Sequence, residues 1–166
     1  AWRCLWHPQL LRHTFLSYKN SFSKPLPSEI REKFLTFAHT KLQVKGLPAA
    51  QLKKFAQDDD TLALVCGSDQ IWSAAAANID PLYFLRFAPE HKRVAYAPSF
   101  GGKTVPEYNR KILASYIREI PFVSVREDSG ADIVKNLTDK DAPVLPDPSL
   151  LLDWEEFAGP APFDNY

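Results

Sequence analysis

Apolar positions between Thr61 and Arg126 fall into three short segments, and each segment runs into a polar motif. Thr61-Leu-Ala-Leu-Val-Cys66 leads into Gly67-Ser68-Asp69-Gln70-Ile71-Trp72. Arg93-Val-Ala-Tyr-Ala97 leads into Pro98-Ser99-Phe100-Gly101-Gly102-Lys103, and Phe122-Val-Ser-Val125 into Arg126-Glu127-Asp128-Ser129-Gly130. The apolar runs predict strands. The first is almost continuously apolar, the pattern of a strand buried on both faces. A last strand is predicted over Ala142–Leu145, ahead of Pro146-Asp147-Pro148.

The intervening segments carry helical spacing. Ile30, Phe34, Phe37 and Ala38 share one face of a helix that starts at Ser28, a residue suited to cap it. Gly46 and Pro48 break that pattern, and Pro48 fits the first position of a second helix, Ala49 to Gln57. Ser68 or Asp69 is placed to cap a short helix carrying Ile71 and Trp72. Pro106 opens the longest helix, to about Glu119, with Ile112, Leu113, Tyr116, Ile117 and Ile120 on its apolar face. Another runs from about Ser129 to Leu137, with Ile133, Val134 and Leu137 inward. Strand, helix, strand, helix, strand with short connections predicts an α/β fold: a mostly parallel sheet with helices on both faces. All three polar motifs then lie at strand carboxyl ends, where open α/β sheets bind ligands.

Composition narrows the picture. Lysine plus arginine equals aspartate plus glutamate at 20 each, so the net charge is zero. No basic patch or zinc-ligand spacing makes a case for nucleic acid. No apolar run is long enough to span a bilayer. There is no secretory leader pattern at the start of this sequence, which reads as cytoplasmic. Cys4 and Cys66 make no disulfide framework, and Cys66 ends an apolar run as a small buried hydrophobe would. The chain has no methionine and opens on Ala1-Trp2-Arg3-Cys4, which reads as a piece of a longer polypeptide. Trp2, Trp6, Phe15, Tyr18 and Phe22 follow no single period and are expected to pack on something. Residues 1–47 form an aromatic segment and helix packing on the domain, and 48–152 the sheet domain.

Arg126 is the sharpest chemical candidate. It follows a strand directly, and a guanidinium matches phosphate or carboxylate in a two-point geometry. The competing role is an ion pair with Glu127, Asp128 or another acid. Ser99, Gly101 and Gly102 form a small-residue loop whose amides suit an oxyanion, although no Walker or dinucleotide fingerprint is present. Gly67, Ser68 and Asp69 form a similar loop, with Asp69 as an acceptor for a sugar hydroxyl. Asp58-Asp59-Asp60 is better read as a solvated connection than as a cation site, and Pro81–Phe87 as core packing. His7, His13, His39 and His91 lack metal or triad spacing, and Asp147 between prolines caps or braces a turn.

Taken in order, Gly67-Ser-Asp-Gln-Ile-Trp72, Tyr83-Phe-Leu85, Arg93-Val-Ala-Tyr-Ala-Pro-Ser-Phe-Gly101, Ser124-Val-Arg-Glu-Asp-Ser-Gly130 and Asp147-Pro-Ser-Leu-Leu-Leu152 resemble the polysaccharide pyruvyl transferase family. The resemblance covers roughly residues 30–157. It implies one Rossmann-like half of a two-domain architecture similar to GT-B glycosyltransferases. It also implies transfer of the enolpyruvyl group of phosphoenolpyruvate to a sugar or lipid-linked saccharide, forming a pyruvate ketal without a cofactor. Arg126 would meet the donor's phosphate or carboxylate, Gly67, Ser68 and Asp69 would line the acceptor side, and Ser99 and Gly101 the same edge. The catalytic histidine is expected in a missing second domain, reached through residues 153–166, so these residues alone are expected to be inactive. A GT-B enzyme using a nucleotide sugar and a non-catalytic binding domain are the alternatives.

Overall fold

The computed structural model describes residues 27–153, apart from 43, 45 and 77. The aromatics expected to pack in the first segment, Cys4, His7, His13 and the tail from residue 154 lie outside the described residues. The chain divides into two compact units, Ala1–Thr61 with Ala76–Asn78, and Leu62–Ala75 with Ile79–Tyr166.

The first unit contains α1, Ser28–Lys41, and α2, Ala49–Gln57. Both helices occur where the spacing places them. Their starts differ in detail: Pro27 and Pro48 occupy the capping positions, so Ser28 is the first helical residue and Pro48 stands one position earlier than expected. Proline suits a helix entrance because it has no amide proton to leave unpaired. The apolar stripe of α1 is present but exposed, with Phe34 at 67% and Phe37 at 52%. Asp58 to Asp60 close a turn in which the Asp58 side chain accepts the Asp60 amide.

The second unit holds the sheet. Strands β1, Leu64–Cys66, β2, Arg93–Ala95, and β3, Phe122–Val123, pair in parallel and in sequence order. Leu64 lies opposite Arg93 and Cys66 opposite Ala95, while Ala95 also lies opposite Val123. The fourth predicted strand is reduced to a parallel bridge between Val125 and Val144. Pro143 and Pro146 flank it, and neither can donate to a ladder.

Helices α3, Glu107–Arg118, and α4, Asp128–Thr138, follow β2 and β3. Leu113, Ile117, Ile120 and Val134 are completely buried, so the predicted apolar faces are the core. Gly130 of α4 packs against Val125. By strand alternation and register, this puts α4 on the face shared by Val123, Ala95 and Cys66. The opposite face carries Val65, Val94 and Phe122, and there Val65 is 62% and Phe122 66% exposed. The expectation that the first strand is buried on both faces is therefore corrected. An apolar run records side-chain type and says nothing of whether a second layer covers it. A groove of about 360 Å³ lined by Tyr96, Phe122, Ser124, Pro143 and Leu145 runs over this face.

The segment after β1 is also corrected. Ile71 and Trp72 form no helix, because the Trp72 and Ala74 amides donate to the carbonyls of Ser99 and Phe100. Trp72 is buried, stacked on Phe84 at 5.0 Å and edge-on to Phe100 at 5.5 Å. Its indole nitrogen donates to the Tyr83 carbonyl. The Pro81–Phe87 cluster thus contributes to the core through Phe84. Beside it, buried Arg93 donates to the Ala88 carbonyl and pairs with Glu119, which also pairs with Arg86.

Cys66 is 8% exposed, and burial pushes its thiol from 9.0 up to about 12, partly opposed by a backbone hydrogen bond. The folded value lies above the unfolded one. The stabilisation is therefore complete below about pH 9 and fades as the pH climbs toward the folded value. At pH 10 the thiol contributes about 1.4 kcal/mol less than at pH 7. Urea titrations at both pH values should show this extra loss in the wild type relative to Cys66→Ala. Parallel pH dependence of the two proteins would refute it.

Candidate functional site at the carboxyl edge of the sheet

Each strand ends in a loop whose sequence determines its path. After β1, Gly67 adopts φ +132°. A side chain there would collide with the Tyr96 carbonyl oxygen, so only glycine lets the chain leave β1 beside β2. The turn brings Ser68 toward the residues after β3. The Ser68 hydroxyl donates to Asp147 Oδ2 at 2.6 Å. Asp69 is exposed; its carboxylate accepts the Gln70 amide at 2.6 Å and its carbonyl accepts the Ser99 amide at 3.1 Å.

After β2, the buried Ala97 takes φ +48° and turns the chain into Pro98-Ser99-Phe100-Gly101. The Ser99 hydroxyl donates to Glu127 Oε1 at 3.0 Å and accepts the Gly101 amide at 3.0 Å. The Phe100 amide donates to the same Glu127 oxygen at 3.0 Å. Gly101 has φ +66°, and the Gln70 side chain fills the space a Cβ would need. The Phe100 amide is thus taken by Glu127 and the Gly101 amide by the loop's own Ser99 hydroxyl.

After β3, Ser124 is buried, and its hydroxyl accepts the Ala97 amide and donates to the Ala95 carbonyl. Arg126 follows two residues later, its side chain one-third exposed. Its Nη1 donates to Asp147 Oδ2 at 3.2 Å. Of the acids that compete for Arg126, the partner is therefore Asp147, 21 residues away, and not its neighbours Glu127 or Asp128. Glu127 is the N-cap residue of α4, and its side chain turns back to the Ser99 loop.

Asp147 joins these elements. It caps the 3-10 turn Pro148–Leu151, as the sequence led one to expect, by accepting the Ser149 amide at Oδ1. The Ser68 hydroxyl, then the Ser149 amide and side chain, and last Arg126 hold its carboxyl well below the usual carboxylate range. These contacts favour the carboxylate form of Asp147. The sequence pattern missed its link to Ser68 and Arg126 and the role of Glu127. For Asp147 a signal was present, since it follows an apolar run that ends at the same sheet edge. Among the described residues His39 lies on α1 and His91 in the Glu90–Lys92 turn.

Among the described residues, the carboxyl ends of the parallel sheet thus gather Arg126, the acids Glu127 and Asp147, the hydroxyls of Ser68, Ser99 and Ser124, and the glycine turns at Gly67 and Gly101. This defines an open α/β protein with a polar carboxyl edge, the position at which such sheets bind ligands. The chain belongs to the polysaccharide pyruvyl transferase family, whose model matches residues 7–164. That is a family of transferases of polysaccharide biosynthesis. Neither the curated proteins nor the solved structures gave a match. No helix among the described residues is long and apolar enough to cross a membrane.

Proposed function

We propose that this chain forms part of an enzyme that moves the enolpyruvyl group of phosphoenolpyruvate onto a sugar of a cell-surface polysaccharide or its lipid-linked precursor, in the cytoplasm. One observation carries the reading beyond the family: Arg126 stands one-third exposed at the carboxyl edge, in the Ser124-Val-Arg126 motif, with only one terminal nitrogen paired among the described residues. The open guanidinium edge fits a phosphate or carboxylate. Gly67, Ser68 and Asp69 line the acceptor side. Ser99 and Gly101 shape the wall between them, since the Phe100 and Gly101 amides already donate to Glu127 and to the Ser99 hydroxyl.

The chemistry is addition followed by displacement. One sugar hydroxyl oxygen bonds to C2 of the enolpyruvyl group and loses its proton, while the electron pair of the C=C bond takes a proton at the methylene carbon, which becomes a methyl. A second hydroxyl oxygen then bonds to C2, its proton leaves, and the C2–O bond to phosphate breaks. Both steps need a general acid/base. In this reading that group comes from a second Rossmann-like domain facing the edge, in a GT-B-like arrangement. Cationic groups hold the donor and the departing phosphate.

Thermal melting of the full gene product with phosphoenolpyruvate, and separately with a panel of nucleotide sugars, tests this. A ligand at about 100 times its dissociation constant stabilises by roughly 2.7 kcal/mol. Phosphoenolpyruvate is expected to raise the melting temperature and the nucleotide sugars are not. Stabilisation by a nucleotide sugar alone, or by nothing in either set, would overturn the proposal.

A further inference from the structure

The acid that pairs with Arg126 is held in place by contacts that do not involve Arg126. Pro146 and Pro148 flank Asp147 and restrict the backbone on both sides. The Ser149 amide fixes Oδ1 at 3.0 Å and the Ser68 hydroxyl fixes Oδ2 at 2.6 Å. Arg126 then reaches that preset oxygen with Nη1 alone, at 3.2 Å. The pairing is one-point, so the other terminal nitrogen and Nε are not spent on the carboxylate.

From this geometry we infer that Asp147 is a positioning residue: it orders the Arg126 guanidinium at the carboxyl edge and registers it against the Ser68 loop. The inference rests on the reading that Arg126 receives the donor's anion. A long, flexible side chain anchored at one nitrogen samples fewer orientations, so less freedom is lost when an anion binds. Two other roles predict different signs. As a mere counter-ion, Asp147 would compete with the ligand, and its neutralisation would tighten binding. As a mere turn cap, it would change stability and leave Arg126 alone.

The test is a double-mutant cycle in the full gene product, with phosphoenolpyruvate affinity read by titration calorimetry. Asp147→Asn is expected to weaken binding about fivefold to tenfold, since a pre-ordered partner is lost. In an Arg126→Ala background the same change is expected to shift affinity less than about twofold. Equal losses in both backgrounds, an unchanged affinity or a tighter one would each overturn the inference. Asp147→Ser is the second variant, because serine still caps the turn and lacks the charge. Its affinity is expected to follow Asp147→Asn. Loss of a cooperative melt in both variants would make Asp147 a brace of the fold alone, which also overturns it. Relaxation of the Arg126 Nε–H without ligand separates this inference from the donor reading. The group is expected to be ordered in the wild type and mobile in Asp147→Asn, whatever the donor is. Equal order in both refutes positioning, whereas a wild type that is ordered but blind to phosphoenolpyruvate refutes only the donor assignment.

Discussion

Replacing Arg126 by alanine is expected to lower kcat/KM for phosphoenolpyruvate by about 100-fold, a loss of about 2.7 kcal/mol in transition-state stabilisation. Losing one partner of a buried charge pair costs roughly 2–5 kcal/mol. The side chain is one-third exposed, so the lower end of that range applies. Arg126→Lys keeps the charge and loses the planar fork, and is expected to fall between, at about tenfold. The fold should barely respond. The pair with Asp147 is partly solvated on both sides, 33% and 29% exposed, and such pairs contribute about 0–1 kcal/mol. Phosphate release by the full gene product at fixed acceptor, measured beside a urea titration, separates the two effects. Turnover equal to wild type at the same phosphoenolpyruvate concentration would remove Arg126 from the donor site. An equal fall in activity and stability would make it a structural ion pair.

Most of the framework was legible because it depends on local spacing. Leu113 and Ile117 lie one turn apart and both are completely buried, so a 3.6-residue period was enough to find α3. The expected start at Ser129 and end at Leu137 of α4 each fall one residue short of Asp128–Thr138. The strands are shorter than their apolar runs because ladder pairing is a property of two strands together. The Ala142–Leu145 run has apolar content, yet Pro143 leaves it only the bridge at Val144. The polar loops were located by a positional rule, since residues after parallel strands arrive at one edge. Their bonds were not legible. Ser68 and Asp147 are 79 positions apart, and no local pattern connects them. The same holds for Trp72, whose amide is taken by Ser99 across the edge, cancelling a helix that local capping residues favoured. Sequence thus located the cluster's components, while long-range hydrogen bonds determined which acid meets which donor.

Gly67→Ala is expected to be the most destabilising single change at this edge, by about 4 kcal/mol. Two costs add. A φ of +132° lies outside the conformations that residues with a Cβ adopt, and holding one there costs about 1–3 kcal/mol. The new methyl would also overlap the Tyr96 carbonyl oxygen, with Pro98 nitrogen close behind. Both are backbone atoms, and the Tyr96 amide is itself bonded to the Cys66 carbonyl at 2.9 Å. Neither neighbour can yield without opening the junction of β1 and β2. Overpacking of this kind costs roughly 1–3 kcal/mol more. A loss of about 4 kcal/mol is a large part of the 5–15 kcal/mol typical of a folded domain. Two other glycines provide the scale. Gly101 at φ +66° has the Gln70 side chain as its nearest neighbour, which can swing aside, so Gly101→Ala should cost about 1–2 kcal/mol. Gly102 has open space around it, so Gly102→Ala should stay within about 0.5 kcal/mol of wild type. Urea midpoints at constant slope would give all three values. A Gly67→Ala protein as stable as Gly102→Ala would mean that the chain leaves β1 by another path, and would undo the placement of Ser68 beside Asp147 with it.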